Sequence, residues 1–447
     1  MPTVISSVCW VPKGVPQSNP DRIKLDDTQI QELMQQQHDG TDEVMDDTQD
    51  SAIPAEEDIS TEQGATPADN IEQIYNLDAY DIEEQALQLT GASMQGLTCY
   101  STPAEDPYIT LDNISDTSSQ DFTIESTDNL VLVGRADDEY SVIEVHIYNE
   151  STEDQYCHHE VMLNAHPLSI ELVRLEGVSL IAVGTMEPEI ELWDLDLVDS
   201  IEPYIVLGMR KGKSKKKLSK NRHNKPVLCL SWNKATPHLL ASGSADRTVR
   251  IWDIKNVVCI ETLLHPDVVQ SIAWHPYNTS QLLTGCVDGC VRIFDCTTED
   301  KLISAVSLNS EIEKVIWDHL DPIRVIACTE SGHVICISSD TGEILYKIAA
   351  HAKPVTDIAL STFLPGLLVS TSVDKSYNVW DVSGGGVKCL HSCSPAQGKL
   401  YCAEFSPDNP YVFVIGGEKQ GLTVVDLMKI APVASLLKGK ELKRVVT

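Results

Sequence analysis

Every 42 to 45 residues, with one longer gap, this chain repeats an alternating apolar run that in its clearest copies ends in an aromatic residue followed by aspartate. The clearest copies end in Trp252-Asp253, Phe294-Asp295 and Trp380-Asp381, and an earlier one in Trp193-Asp194. Trp252 and Phe294 are 42 residues apart, and Phe294 and Trp380 are 86 apart, or two periods. That spacing places a degenerate copy near Ile337, where residues 332–338 keep the strand pattern without the aromatic pair. One further period in each direction reaches Val425-Asp426 and Tyr148-Asn149, for seven copies in all. The gap of 59 from Trp193 to Trp252 is too long by part of a period, so an insertion lies between Asp199 and Pro226, where it must form a loop.

A period near this length, with strand-like alternation and recurrent Trp-Asp pairs, predicts an all-β, seven-bladed WD-repeat β-propeller. Radial four-stranded blades leave only short edges, and ring closure is expected to share one blade between the two ends of the chain. The last repeat offers three strands, so its fourth is sought in residues 107–111 or in residues 433–437, with the former preferred.

A second series runs in phase with the first. His223, His265 and His351 each precede an aspartate, Asp246, Asp288 or Asp374, by 23 residues. Ser242, Thr284 and Ser370 lie four residues before those aspartates, and Trp252, Phe294 and Trp380 lie six after them. Histidine, hydroxyl and carboxylate together suggest a nucleophilic triad. A nucleophile is needed once, however, whereas this set recurs blade by blade, as a buried hydrogen-bond relay would. The relay reading predicts that the blade with Phe294, which lacks an indole N–H, is the less constrained one. Trp232, Trp274 and Trp317 form another ladder, spaced 42 and 43, expected to fill the space between blades.

The charge of −34 is unevenly placed. Residues 25–121 hold 24 Asp or Glu and no Lys or Arg, a self-repelling run that predicts a mostly disordered acidic N-terminal arm. Residues 1–100 are accordingly assigned to the arm, 101–447 to the propeller and 209–225 to a basic insertion between blades. Within the arm, Ile30, Leu33 and Met34, and separately Ile71, Ile74, Tyr75 and Leu77, suggest short helices that fold on a partner. The insertion carries Arg210, Lys211, Lys213, Lys215, Lys216, Lys217, Lys220 and Arg222. It reads first as a nuclear import signal, then as a phosphate-contact loop, and otherwise as a solvated charge run. It has no interleaved aromatics, which argues against base-specific reading.

The thirteen cysteines are scattered through apolar runs without paired ligand spacing, so reduced thiols and no metal site are expected. No run is long and apolar enough to suggest a membrane span. No phosphate loop or singular acid–base pair appears, so no enzyme, cofactor or small-molecule substrate is expected.

The periodic tryptophans, the N-terminal Cys9-Trp10-Val11-Pro12-Lys13-Gly14, the acidic stretch with Tyr75 and Tyr80-Asp81, and the lysine-rich insertion together resemble the periodic tryptophan protein 1 family over essentially the whole chain. The resemblance implies a nuclear and nucleolar factor of ribosome biogenesis, tied to ribosomal RNA transcription and large-subunit pre-rRNA processing. Its implied partners are pre-ribosomal proteins and rRNA. A chromatin regulator that binds histones is the alternative, since a polyanionic arm suits any basic partner. A ubiquitin-ligase receptor is disfavoured, because the Trp-Asp pairs are followed by Ile254-Lys255, Leu195-Asp196 and Val382-Ser383 rather than by an arginine at the second place.

Overall fold

The computed structural model describes residues 3–22, 123–137, 140–209, 222–298, 301–383, 386–419, 421–437 and 442. They form the predicted seven-bladed propeller. Blade 1 is β1 (Val4–Val11), β3 (Asp128–Ala136), β4 (Ser141–Asn149) and β5 (Asp154–Leu163), ordered from the axis outward. Blade 2 is β6 (Pro167–Leu175), β7 (Val178–Thr185), β8 (Ile190–Asp194) and β10 (Ile205–Leu207). Blade 3 is β11 (Val227–Trp232), β12 (Leu239–Ser244), β13 (Thr248–Asp253) and β14 (Val258–Leu264). Blade 4 is β15 (Val269–Trp274), β16 (Gln281–Cys286), β17 (Cys290–Asp295) and β18 (Leu302–Ser307). The degenerate repeat builds a complete blade 5 from β19 (Ile312–Trp317), β20 (Arg324–Thr329), β21 (His333–Ser338) and β22 (Ile344–Ala349). Blade 6 is β23 (Val355–Leu360), β24 (Leu367–Ser372), β25 (Tyr377–Asp381) and β26 (Lys388–Cys393).

Among the described residues blade 7 has three strands, β27 (Leu400–Phe405), β28 (Val412–Gly417) and β29 (Thr423–Asp426). The two candidates for a fourth fare differently. Residues 433–437 are helical, within α1 (Ala431–Leu437), because Val433 and Leu437 bury helix-spaced side chains under blade 7. Residues 107–111 lie outside the described residues, as do the two helix candidates of the arm.

Among the described residues the two ends of the chain share no blade. Instead β1, the start of the chain, is the innermost strand of blade 1 and packs against blade 7. Ile5, Trp10, Cys402, Val412 and Val414 form one buried cluster there. Gly416 permits the approach, since a Cβ at that position would collide with Ile5 and with the Cys402 sulfur. The boundary of the acidic arm therefore moves from the expected residues 1–100: residues 3–22 belong to the propeller, and Asp21–Arg22 (β2) even pairs in parallel with β9 (Leu197–Val198). The acidic run of residues 25–121 thus sits in sequence between two strands of blade 1.

The inner strands explain the period. Each carries an irregularity near its start, just after Ile5, Pro167, Val227, Val269, Ile312, Val355 or Leu400. Such a bulge sharpens local twist and fixes which side chains face the neighbouring blade. Five residues on stand Trp10, Leu172, Trp232, Trp274, Trp317, Leu360 and Phe405. Trp274 Nε1 donates to Ser231 O and Trp317 Nε1 to Ala273 O, both 3.1 Å away on the preceding blade. Trp10 Nε1 does the same to Glu404 O at 3.1 Å, which makes Trp10 the member of the ladder that closes the ring. Trp232 departs from the expected inter-blade role, donating to Pro237 O in its own blade at 2.8 Å.

Candidate interaction faces and their polar networks

Antiparallel order gives the propeller two unlike faces. Turns between first and second strands open on one, and turns between second and third strands open on the other together with the connections from blade to blade. The relays sit on the second face. In blade 3, His223 Nδ1 lies 3.1 Å from Asp246 Oδ2, His223 Nε2 lies 2.7 Å from Ser242 Oγ, and Trp252 Nε1 donates to Ser242 Oγ at 2.8 Å. One proton assignment satisfies every atom: indole to serine oxygen, serine O–H to Nε2, and Nδ1–H to the carboxylate. Asp246 also accepts from Asn224 N–H, Thr248 N–H and Thr248 O–H, the last at 2.6 Å. Burial pushes the Asp246 carboxyl up, but these donors and His223 outweigh it and hold it well below the usual carboxylate range. Burial also lowers His223, against the pull of Asp246, so the imidazole is neutral and the carboxylate ionised.

Blade 6 repeats the arrangement through His351, Ser370, Asp374 and Trp380, at 3.0, 2.8 and 3.0 Å. Blade 4 does not. His265 Nε2 still meets Thr284 Oγ1 at 3.1 Å, but Asp288 has turned away from the histidine to form a two-point pair with Arg292, at 2.5 and 3.1 Å. Asp288 is therefore no part of the relay in which the spacing placed it. The reason lies two residues beyond each aspartate: Thr248 and Ser376 supply a hydroxyl to the carboxylate, whereas blade 4 has Cys290, a weak donor. Burial then lowers His265 to about 4. In blade 2, Trp193 finds its acceptor in Glu191 Oε2 at 3.1 Å.

Four charged residues on the inner strands escaped the sequence reading. Glu404 Oε2 accepts the Trp10 N–H at 2.9 Å, and Glu171 Oε1 accepts the Trp232 N–H at 3.2 Å, each four residues past the bulge of its strand. Asp357 Oδ2 accepts the Ala403 N–H at 3.1 Å, and Lys314 Nζ stands 3.4 Å from Asp357 Oδ1. These groups cap the next blade around the axis. They keep some exposed area yet are ringed by protein, so burial, helped by Glu171, lifts Glu404 to about 8, while Asp357 holds Lys314 above the usual lysine range. The signal that would have found them is a charge two or four residues past the bulge inside otherwise apolar strands.

Of the basic insertion, Arg210, Lys211, Lys213, Lys215, Lys216, Lys217 and Lys220 lie outside the described residues. Arg222 is described and is engaged: its Nε donates to His223 O at 3.2 Å, and its Nη1 stands 3.6 Å from Glu189. The insertion leaves at Met209 and returns at Arg222 on the relay face, since it joins the last strand of blade 2 to the first of blade 3. The acidic run leaves after Arg22 and returns at Thr123 on the opposite face, where a cavity of about 360 Å³ opens between Val15, Arg174, Trp232 and Pro237. Among the described residues the cysteines are free, no cluster of three or more His, Cys, Asp or Glu is placed to hold a metal, and no helix is long and apolar enough to cross a membrane.

The family model described as "WD domain, G-beta repeat" matches residues 212–253, 257–295 and 342–381. Over a wider span the chain is 32% identical to the "Periodic tryptophan protein 1 homolog" of Drosophila melanogaster, across 93% of this chain and 92% of that one. The chain belongs to the periodic tryptophan protein 1 family. It is also 28% identical to "Periodic tryptophan protein 1" of Saccharomyces cerevisiae, over 98% of this chain and 90% of the relative. Among solved structures, one chain of the "Crystal Structure of Mitotic Checkpoint Complex" superposes with a TM-score of 0.53 at 20% identity, covering 67% of this chain and 84% of that chain, a likeness of fold alone. The family model falls on blades 3, 4 and 6, the three with the histidine series, and the periodic tryptophan protein 1 relatives extend the match to the degenerate blades.

Proposed function

We propose that this protein is a non-catalytic scaffold of ribosome biogenesis that works in the nucleus and nucleolus on large-subunit precursors. The observation that carries the reading is the placement of its two charged segments, with the basic insertion tethered on one face and the acidic arm on the other. A propeller from whose opposite faces segments of opposite charge depart is suited to hold an RNA backbone through one and basic proteins through the other. The repeated His-Ser-Asp sets are consumed by internal hydrogen bonds, which supports a binding role over catalysis. The resemblance to the periodic tryptophan protein 1 family supports the ribosomal setting.

The test is a tagged pull-down at two salt concentrations, with mass spectrometry and RNA sequencing, on the full chain and on deletions of residues 210–221 and 24–121. Large-subunit precursors are expected from the full chain. Loss of RNA and of nuclear accumulation is expected from the first deletion, at an unchanged melting temperature, and loss of basic proteins from the second. Histones retained without pre-ribosomal material would put the chromatin reading first.

A further inference from the structure

Six blades have four strands, but blade 7 ends at β29, and among the described residues no strand pairs with the side of β29 that faces away from β28. Helix α1 follows β29 without covering that side: Val433 and Leu437 pack beside Leu390 and Cys393 of blade 6. The polarity of the free edge follows from one bond. Leu427 N–H donates to Tyr411 O at 2.9 Å, so by alternation Val425 and Thr423 also address β28, and the backbone of Leu422, Val424 and Asp426 points outward. The Leu422 carbonyl is taken by Gln155 Nε2 at 3.2 Å. Among the described residues the outward N–H and C=O of Val424 have no partner.

This edge is already held in place. Val424 packs with Trp10, Tyr148 and Val412, and Val425 with Phe413 and Leu427 on the other face. A pre-formed edge asks only the guest to become ordered, which is the condition under which strand addition is effective. Natural edge strands are commonly blunted by lysine, proline or a covering element, and residues 423–426 carry neither lysine nor proline.

We propose that the free edge of β29 is a strand-addition site for an extended basic segment of a partner protein. The charge beside it selects the partner. Glu150, Glu153 and Asp154 lie where β4 turns into β5, next to Gln155, and Asp426 ends β29 itself. The nearby cations are already matched, Lys13 to Glu150 at 3.4 Å and Lys429 to Glu153 at 2.6 Å. An incoming strand with lysine or arginine at alternate positions would meet Asp154 and Asp426, which have no ion-pair partner among the described residues, whereas the acidic arm would be repelled by the four carboxylates against two lysines. Backbone pairing would supply affinity and the flanking carboxylates would supply selectivity.

Hydrogen exchange on the full chain tests this at the Val424 and Asp426 amides. They should exchange fast in the protein alone and about tenfold more slowly with a synthetic alternating Lys-Val peptide. The matching Glu-Val peptide should give no protection. Val424→Pro, which removes the outward N–H, should abolish the effect. Should that variant misfold, the Lys-Val peptide N-methylated along one edge must lose the protection on the unaltered chain. Protection that persists with the methylated peptide, or that both peptides give equally, or that neither gives, overturns the proposal. So does slow exchange in the protein alone. In that case truncation after residue 437 or deletion of residues 24–121 will identify the segment of this chain that holds the edge.

Discussion

Blades 3 and 4 carry the same histidine, hydroxyl and aspartate at the same spacing, yet only blade 3 connects them. The difference is made by two neighbours. Blade 3 has Thr248 to steady its carboxylate and Trp252 to feed the hydroxyl, where blade 4 has Cys290 and Phe294. With neither in place, Asp288 gains more from the guanidinium of Arg292 than from His265, as a two-point charged pair is stronger than a single bond to a neutral ring. The expectation that the Phe294 blade is the looser one thus acquires a mechanism: its relay loses both ends at once. A repeated motif in a propeller is a set of options, and local chemistry decides which bonds form.

The sharpest way to break this comparison is to remove each aspartate. Asp246→Ala strands the buried His223, the Thr248 hydroxyl and two backbone N–H groups, and is expected to destabilise the protein by about 1 to 3 kcal/mol. Asp288→Ala releases a partly exposed pair and should cost about 1 kcal/mol or less. Denaturant midpoints of the two variants decide it, and equal shifts would mean that the relay contributes nothing beyond an ordinary turn.

Acid separates the histidines next. Burial without a carboxylate partner lowers His265 to about 4. A histidine with a depressed folded pKa contributes stability that is complete above its unfolded value, near 6.5, and that is lost as pH falls toward the folded value. Stability should therefore decline between about pH 6.5 and 4, and His265→Gln should flatten part of that decline. A wild-type slope retained in the variant would assign the acid sensitivity elsewhere, His159, His223, His275, His319 and His333 being the other histidines that burial depresses.

The smallest effect comes from rebuilding blade 4. Cys290→Thr together with Phe294→Trp restores the missing donor at each end, and should draw Asp288 back to His265. A gain of about 0.5 to 1 kcal/mol is expected, with a rise in the His265 pKa visible by NMR titration. An unchanged titration would show that Arg292 still holds the carboxylate.

Much of the fold was legible because strand alternation and the aromatic-Asp period are local properties, repeated often enough to survive degeneracy. Blade 5 was found through spacing alone, although Ile337 replaces the aromatic residue. The relays of blades 3 and 6 were legible for the same reason. The role of Trp10 was not, because nothing in Cys9-Trp10-Val11 announces that its neighbours lie near residue 404, and the arm boundary was misplaced with it. Glu171, Glu404, Lys314 and Asp357 were missed because a charge inside one apolar strand looks like an exception until seven strands are aligned around an axis.

The sequence by itself determined the number of blades, the phase of each and the segregation of charge into two segments, since periodicity and composition need no knowledge of which residues meet. Only the tertiary structure decided how the ring closes, that blade 7 has an unpaired edge among the described residues, and that the two charged segments leave from opposite faces. Those outcomes rest on contacts between residues hundreds of positions apart, such as Trp10 with Glu404, whose partners are chosen by the curvature of the closed sheet array rather than by local preference.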